Sequence, residues 1–265
     1  MLQITPNFRH FSGQTSEHVR AVGEIISHLG SAQGRNQRLI ACGPGVCLLP
    51  QIADDLVDLA RACAEAGFIL GLASGFRGFD RQLVIWQEKA CGKRAVLDDK
   101  EQPLDVAQLT AAEQLEAIMR WSAAPGLSRH HWGSDFDVYP ANLLPEGASL
   151  DLTCDEAFGP FAAFYEFLDG YLKRAGPAFA RPYFGDFGIG LHPASSSHAP
   201  ASELLIAQEP WHLSHIACSA PFERLFDFDQ LVSLWREAGL ALVDELAERE
   251  ASIARQYFAR LSGAL

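Results

Sequence analysis

The sequence predicts an α+β domain with a small, mainly antiparallel sheet flanked by helices. Helical and strand patterns are interleaved along the chain, but the strands are few, short and partly alternating in polarity, whereas the strands of a doubly wound parallel sheet read as continuous apolar runs. The 265 residues, 48% hydrophobic and 20% charged, suffice for one sizeable core without a disulfide scaffold. No internal repeat or low-complexity tract divides the chain, so we expect one domain over 1–265 with elaborated loops at 43–45, 98–103 and 192–202.

Residues 1–49 form an N-terminal extension, and a core of elements follows over 68–216. In 51–67, Ile52, Leu56, Leu59, Ala60 and Cys63 recur at helical spacing and Gly67 closes the run, which predicts an amphipathic helix. The apolar run 68–73 is a buried strand, and helices are expected over 80–91 and 107–121. Residues 134–139 (SDFDVY) alternate, with Phe136 and Val138 on one face and Asp135 and Asp137 on the other, the pattern of a half-buried strand carrying carboxylates. A helix over 156–175 and short strand pieces around Glu209 and His212 follow. In the C-terminal helical region, 222–265, the stripe Leu231, Trp235, Leu242, Leu246, Ile253, Tyr257 and Leu261 predicts one long helix or two broken near Gly239, suited to a core or to an oligomer contact.

With 33 acidic and 21 basic residues the chain carries a net charge of −12, and no Lys/Arg-rich run interrupts it, which argues against partners such as nucleic acid or an anionic membrane. The start lacks a basic segment followed by an apolar stretch of about 7–15 residues, and no later segment is apolar for about 18 residues, so a cytoplasmic protein is expected. The six cysteines are scattered without a Cys-x-x-Cys pair, which excludes a zinc ribbon or redox motif and predicts mostly buried thiols.

Three windows carry residue types suited to chemistry. At the end of the first strand, Ser74-Gly75-Phe76-Arg77 is followed by Gln82, and an arginine there offers a planar fork of donors to an oxyanion or carboxylate. In Ser128-Arg129-His130-His131-Trp132-Gly133-Ser134-Asp135-Phe136-Asp137, His and Asp are both good zinc ligands. An extended chain would set His130 and Asp137 roughly 23 Å apart, so they share an ion only if the chain doubles back, and Gly133 is the natural turning point. Spacing leaves the ligands open between His130 and His131, and between Asp135 and Asp137. In Glu209-Pro210-Trp211-His212, a kink at Pro210 would bring Glu209 and His212 to one side, leaving Glu209 beside a metal without being a ligand. Three protein ligands, an open position and a nearby carboxylate are what a zinc hydrolase requires. The sequence lacks a His-Glu-x-x-His helix, a phosphate-binding loop, a dinucleotide fingerprint and a nucleophile elbow.

In that order the three windows resemble the VanY-type D-alanyl-D-alanine carboxypeptidases, of the zinc peptidase superfamily that also contains lysostaphin-like enzymes and the hedgehog signalling domain. The family pattern is Ser-Gly-Tyr/Phe-Arg, then Ser-x-His-x-x-Gly-x-x-x-Asp, then Glu-x-x-His. The resemblance implies a hedgehog/D,D-peptidase-like fold, one Zn2+ per chain on His130, Asp137 and His212, and Glu209 as general base. It implies that Arg77 polarises the scissile carbonyl, and that Ser128, Gln82 and Ser74 contact the substrate. Two departures stand out: Gly78 replaces a common serine, and Asp135 replaces a small or apolar residue, adding a carboxylate for a cationic substrate group or for Arg129. The expected activity is removal of a C-terminal D-alanine from a peptidoglycan stem peptide without a covalent intermediate. Combined with the cytoplasmic expectation, this favours an L,D-carboxypeptidase of murein recycling. The alternatives are a D,D-carboxypeptidase or D,D-dipeptidase on D-Ala-D-Ala termini, or a non-catalytic zinc-containing binding domain, against which Glu209 and Arg77 argue.

Overall fold

The computed structural model describes residues 5–27, 39–174, 176–184 and 206–257. Nine short strands are present among them: β1 (Arg20–Ala21), β2 (Ile40–Cys42), β3 (Cys47–Leu48), β4 (Leu70–Ser74), β5 (Val96–Leu97), β6 (Pro103–Leu104), β7 (Asp135–Pro140), β8 (Phe179–Ala180) and β9 (His212–His215). Five of them form the main sheet in the order β2-β4-β7-β9-β8, with β2 parallel to β4 and every other pair antiparallel. The remaining four pair as two small antiparallel ribbons, β1 with β3 and β5 with β6.

The centre of the sheet explains where the site lies. Strand β4 follows the helix Ala53–Glu65, whose chain reverses at Gly67 in the left-handed region (φ 89°). Its register with β7 slips at a bulge between Leu72 and Ser74, which sets Ser74 opposite Asp137. Across the next ladder, Asp137 stands opposite His212 and Asp135 opposite Ser214. One row across three strands therefore holds Ser74, Asp137 and His212, within the reach of directly paired residues. The alternation read in β7 is present, but the strand is buried on both faces rather than half-buried: Phe136 packs edge-on against Phe179, while Asp135 (0% exposed) and Asp137 (6%) face polar side chains that cover them.

Several expected elements are shorter. The third helix runs Ala111–Trp121, because Thr110 and Glu113 form a reciprocal capping box that starts it four residues after 107. The helix expected over 156–175 is two, Cys154–Phe158 and Ala162–Leu172, interrupted at Gly159 and Pro160, where proline cannot continue the ladder. Around Glu209 there is no strand; β9 begins at His212. In place of one long C-terminal helix stand Phe228–Glu237, Val243–Ala247 and Glu250–Tyr257, the first break falling at Gly239 (φ 62°) as the alternative expectation had it. Their stripe, Leu231, Trp235, Leu246 and Ile253, is fully buried inside this chain, so it is a core face and not a surface for a partner copy. Of the cysteines only Cys63 is buried, and Cys42 and Cys91 are exposed, contrary to the expectation of mostly buried thiols; all six are free. The loop at 98–103 is the turn of the β5–β6 hairpin, and the loop at 192–202, residue 175 and residue Leu261 lie outside the described residues.

The N-terminal residues are built into this structure. Strand β2 is an edge of the main sheet, and Phe11, Val19 and Val22 join the same core cluster as Trp235 and Tyr257. The carbonyl of Phe11 accepts from the Trp132 indole (3.2 Å), and that of Gly13 from the amide of Phe79 (2.8 Å). No helix among the described residues is long and apolar enough to cross a membrane.

Candidate metal centre

Doubling back at Gly133 is what brings distant residues of one window together. Residues Arg129–Trp132 form a single 3-10 turn that closes at Gly133 in the left-handed region (φ 70°), where glycine alone is unstrained, and β7 then leaves in the opposite sense. His130, Asp137 and His212 meet as a result: one ligand atom from each lies within 4.8 Å of the others. His130 Nε2 is 3.5 Å from Asp137 Oδ2, and His212 Nδ1 is 3.4 Å from Asp137 Oδ1.

The neighbours settle which nitrogen of each ring faces inward. His130 Nδ1 donates to the Gly75 carbonyl (3.0 Å), leaving Nε2 for the centre. His212 Nε2 donates to Asp135 Oδ1 (3.2 Å), leaving Nδ1. His131, the other candidate of its pair, is engaged on both sides: its Nδ1 donates to the Arg77 carbonyl (2.5 Å) and its Nε2 accepts from the Gly126 amide (3.0 Å). Burial pushes its pKa down to about 3, in keeping with a neutral ring tied to backbone. Asp135 is likewise committed, accepting from Arg129 Nε (2.7 Å) and Ser134 Oγ (2.6 Å) as well as from His212.

Two buried atoms, Asp137 Oδ1 and His212 Nδ1, have no hydrogen-bond partner, and both face this point. Its electrostatics favour a cation. Burial disfavours a proton on His212, yet Asp135, Asp137 and Glu209 outweigh it and hold the His212 pKa well above the ordinary imidazole value. Burial pushes Asp137 up, but His130, His212 and the Ser74 hydroxyl bring it well below the carboxylate range, while burial takes His130 down to about 4. A His/Asp/His set with unfilled inward lone pairs fits a divalent ion of the zinc class.

The expected kink at Pro210 is present as a turn: the His212 amide donates to the Glu209 carbonyl (3.2 Å), and Glu209 Oε2 comes within 3.3 Å of His212 Nδ1. A cavity of about 270 Å3 opens here, lined by the three candidate ligands, Arg77, Ser128 and Glu209, with Tyr183 edge-on to His212 and with Trp121 and Leu152 as apolar wall. Arg77 is fixed by its amide on the His130 carbonyl (3.1 Å) and by Nη1 on Gln82 Oε1 (3.0 Å). Gln82 and Ser74, expected to contact substrate, do not line the cavity. Gln82 is 1% exposed and bridges Arg77 to the Ala123 carbonyl (2.6 Å), whereas the Ser74 hydroxyl donates to Asp137 Oδ2 (2.5 Å). Both are positioning residues by geometry. The pairing of Asp135 with Arg129 was one of the two roles expected of it, whereas its bond to His212 was not foreseen; Tyr183 sits in no motif and carried no signal.

The family model described as D-alanyl-D-alanine carboxypeptidase, VanY, matches residues 46–173. Residues 46–173 are thus similar to a VanY-type domain. The matched stretch includes Ser74–Arg77 and Ser128–Asp137, and ends before Glu209 and His212. An uncharacterized protein of Haemophilus influenzae is 46% identical over 65 residues, 24% of this chain and 44% of that protein, so the match spans less than half of that relative. Among solved structures, the fold is similar to a vancomycin resistance D,D-pentapeptidase VanY in complex with Zn(II), at 23% identity, covering 78% of this chain and 87% of the other with a TM-score of 0.41. It is also similar to the LdcB LD-carboxypeptidase, at 20% identity, covering 76% and 68% with a TM-score of 0.41.

Proposed function

We propose that this VanY-type chain is a zinc-dependent carboxypeptidase that removes a C-terminal D-amino acid, D-alanine, from peptidoglycan stem peptides. The observation that carries the reading is the convergence of His130, Asp137 and His212 on one point, with Glu209 and Arg77 beside it on a single cavity. His130, Asp137 and His212 would hold the zinc, which when bound would supply a Lewis acid and make water at the centre more acidic. Glu209 takes the proton of the attacking water and returns it to the leaving amine. The Arg77 guanidinium, held in place by Gln82, donates to the oxygen of the scissile carbonyl as charge builds on it. Ser128 and the Tyr183 ring bound the substrate.

The finer reading is L,D-cleavage of tetrapeptides in cytoplasmic murein recycling, with D,D-carboxypeptidase and D,D-dipeptidase activity as alternatives. Zinc-loaded protein incubated with tetrapeptide, pentapeptide and D-Ala-D-Ala separates them by which substrate releases D-alanine. Bound zinc with no release from any of the three would identify a non-catalytic zinc domain and overturn the proposal.

The pairing of Asp135 with His212 gives a second expectation. A carboxylate on the distal nitrogen fixes ring orientation and raises ligand basicity, and losing one costs about 10–100-fold in metal affinity. The variant Asp135→Asn is therefore expected to bind zinc about 10–100-fold more weakly in a chelator competition. An unchanged affinity would mean that the His212 ring is oriented by packing against Tyr183 alone.

A further inference from the structure

A carboxypeptidase must read the free carboxylate of its substrate; of the residues that the resemblance put forward as substrate contacts, Gln82 and Ser74 are engaged elsewhere, and Ser128 lines the cavity but brings no positive charge. Arg77 is aimed at the centre itself, and Arg129 is neutralised by Asp135 and Glu223. One cation near the cavity has no such commitment. Lys89, in the last turn of the helix Phe79–Ala90, is 8% exposed, and among the described residues no carboxylate lies within ion-pairing distance of it. A lysine in a last turn complements the helix dipole, but it does so equally from solvent, so the dipole gives no reason for burial. Burying an ammonium without a counter-ion is costly.

Its ammonium donates to Ser122 Oγ at 2.7 Å, and Ser122 lines the cavity. Because the lysine takes a lone pair of that oxygen, the hydroxyl proton must point elsewhere, and among the described residues no acceptor receives it. The next residue, Ala123, accepts from Gln82, which in turn holds Arg77. The chain at 122–123 is thus strapped to one helix by two side chains seven positions apart, two turns along the same face. Ser122, Arg77 and the candidate ligands line one cavity, so a substrate whose scissile carbonyl meets Arg77 has room to carry its terminal carboxylate toward Ser122.

We propose that Ser122, charged from behind by Lys89, is the subsite for the substrate's C-terminal carboxylate and so sets the preference for chain ends. This inference rests on the carboxypeptidase reading. Burial already pulls the Lys89 pKa down to about 8, with Arg94 and Arg77 adding to the effect and Glu209 only partly opposing it, and an arriving carboxylate supplies a counter-charge at closer range.

Two measurements test it. In turnover, Lys89→Met and Ser122→Ala are expected to lower kcat/KM on a peptide acid roughly 10–100-fold, chiefly through KM, with little change on the matching peptide amide, as expected for one hydrogen bond to a charged group. A purely structural strap would lower both substrates equally, or neither, and either result overturns the proposal. In calorimetry, D-alanine is expected to bind the wild-type protein and to bind Lys89→Met roughly 10–100-fold more weakly. No binding to the wild type, or equal binding to both, also overturns it. If D-alanine binding depends on Lys89 while the wild type hydrolyses no peptide, the subsite stands and the hydrolytic reading fails.

Discussion

Replacing Glu209 by glutamine is expected to lower kcat by about 10²–10⁴-fold while leaving bound zinc and KM nearly unchanged. Glutamine keeps the shape and one acceptor oxygen of glutamate but cannot take a proton, and general-base catalysis contributes about that factor. The turn that places Glu209 should survive, because it is closed by backbone: the Glu209 amide donates to Tyr183 (3.0 Å) and its carbonyl accepts from His212 (3.2 Å). The geometry also separates base from ligand. Asp137 is 6% exposed and stands opposite His212 in the sheet ladder, whereas the Glu209 side chain is 18% exposed and reaches the centre from outside the strand. Zinc content by atomic absorption and steady-state kinetics on the same preparation decide the matter. Zinc lost in parallel with activity would make Glu209 a ligand, and full activity in Glu209→Gln would remove it from the mechanism.

Much of this centre was legible in the sequence, and the parts that were not have a common cause. The alternation of β7 put Asp135 and Asp137 on one face, Gly133 marked the reversal, and Pro210 marked the turn, because strand period and turn chemistry are local properties. Which histidine and which aspartate meet a metal is not local. It depends on the Gly126 amide and the Arg77 carbonyl, which occupy both nitrogens of His131 while the Gly75 carbonyl takes only one of His130, and on Arg129, which claims Asp135. Spacing alone left that choice open, and the resemblance to the VanY pattern named the ligand set that these contacts favour. Gln82 shows the converse: its place in the motif suggested a substrate contact, while its two bonds within the protein assign it to holding Arg77. The C-terminal stripe was correct as a buried face and Gly239 marked the first break, but the apolar spacing continues through the later break after Ala247, which it therefore could not show.

Arg129→Met is expected to be the most destabilising single change near the centre, at about 3–5 kcal/mol, because it leaves a buried carboxylate pair without its cation. Arg129 is 2% exposed and uses every nitrogen: Nε on Asp135 (2.7 Å), Nη1 on Glu223 (2.8 Å) and on the Tyr257 carbonyl (3.3 Å), and Nη2 on Ser214 (2.7 Å). It also stacks 4.4 Å over Trp132. These partners come from β7, β9, the helix Ile216–Glu223 and the last helix, so the guanidinium ties the sheet to the C-terminal segments. A loss of this size is a large share of a stability of about 5–15 kcal/mol. Its pH dependence follows from Asp135. Burial raises that pKa, but Arg129 outweighs it and takes it down to about 2, against about 3.9 in an unfolded chain. A depressed carboxylate contributes stability that is fully present above the unfolded value and is lost as pH falls through the folded one. Without Arg129, burial holds the Asp135 pKa up, so the deficit of Arg129→Met should be largest near neutral pH, begin to shrink as pH falls through that raised value and go on shrinking down to about pH 2. Urea unfolding across that range measures it. A deficit below about 1 kcal/mol at pH 7, or one that grows as pH falls, would show that the Arg129 network is not what fastens the C-terminal helices to the sheet.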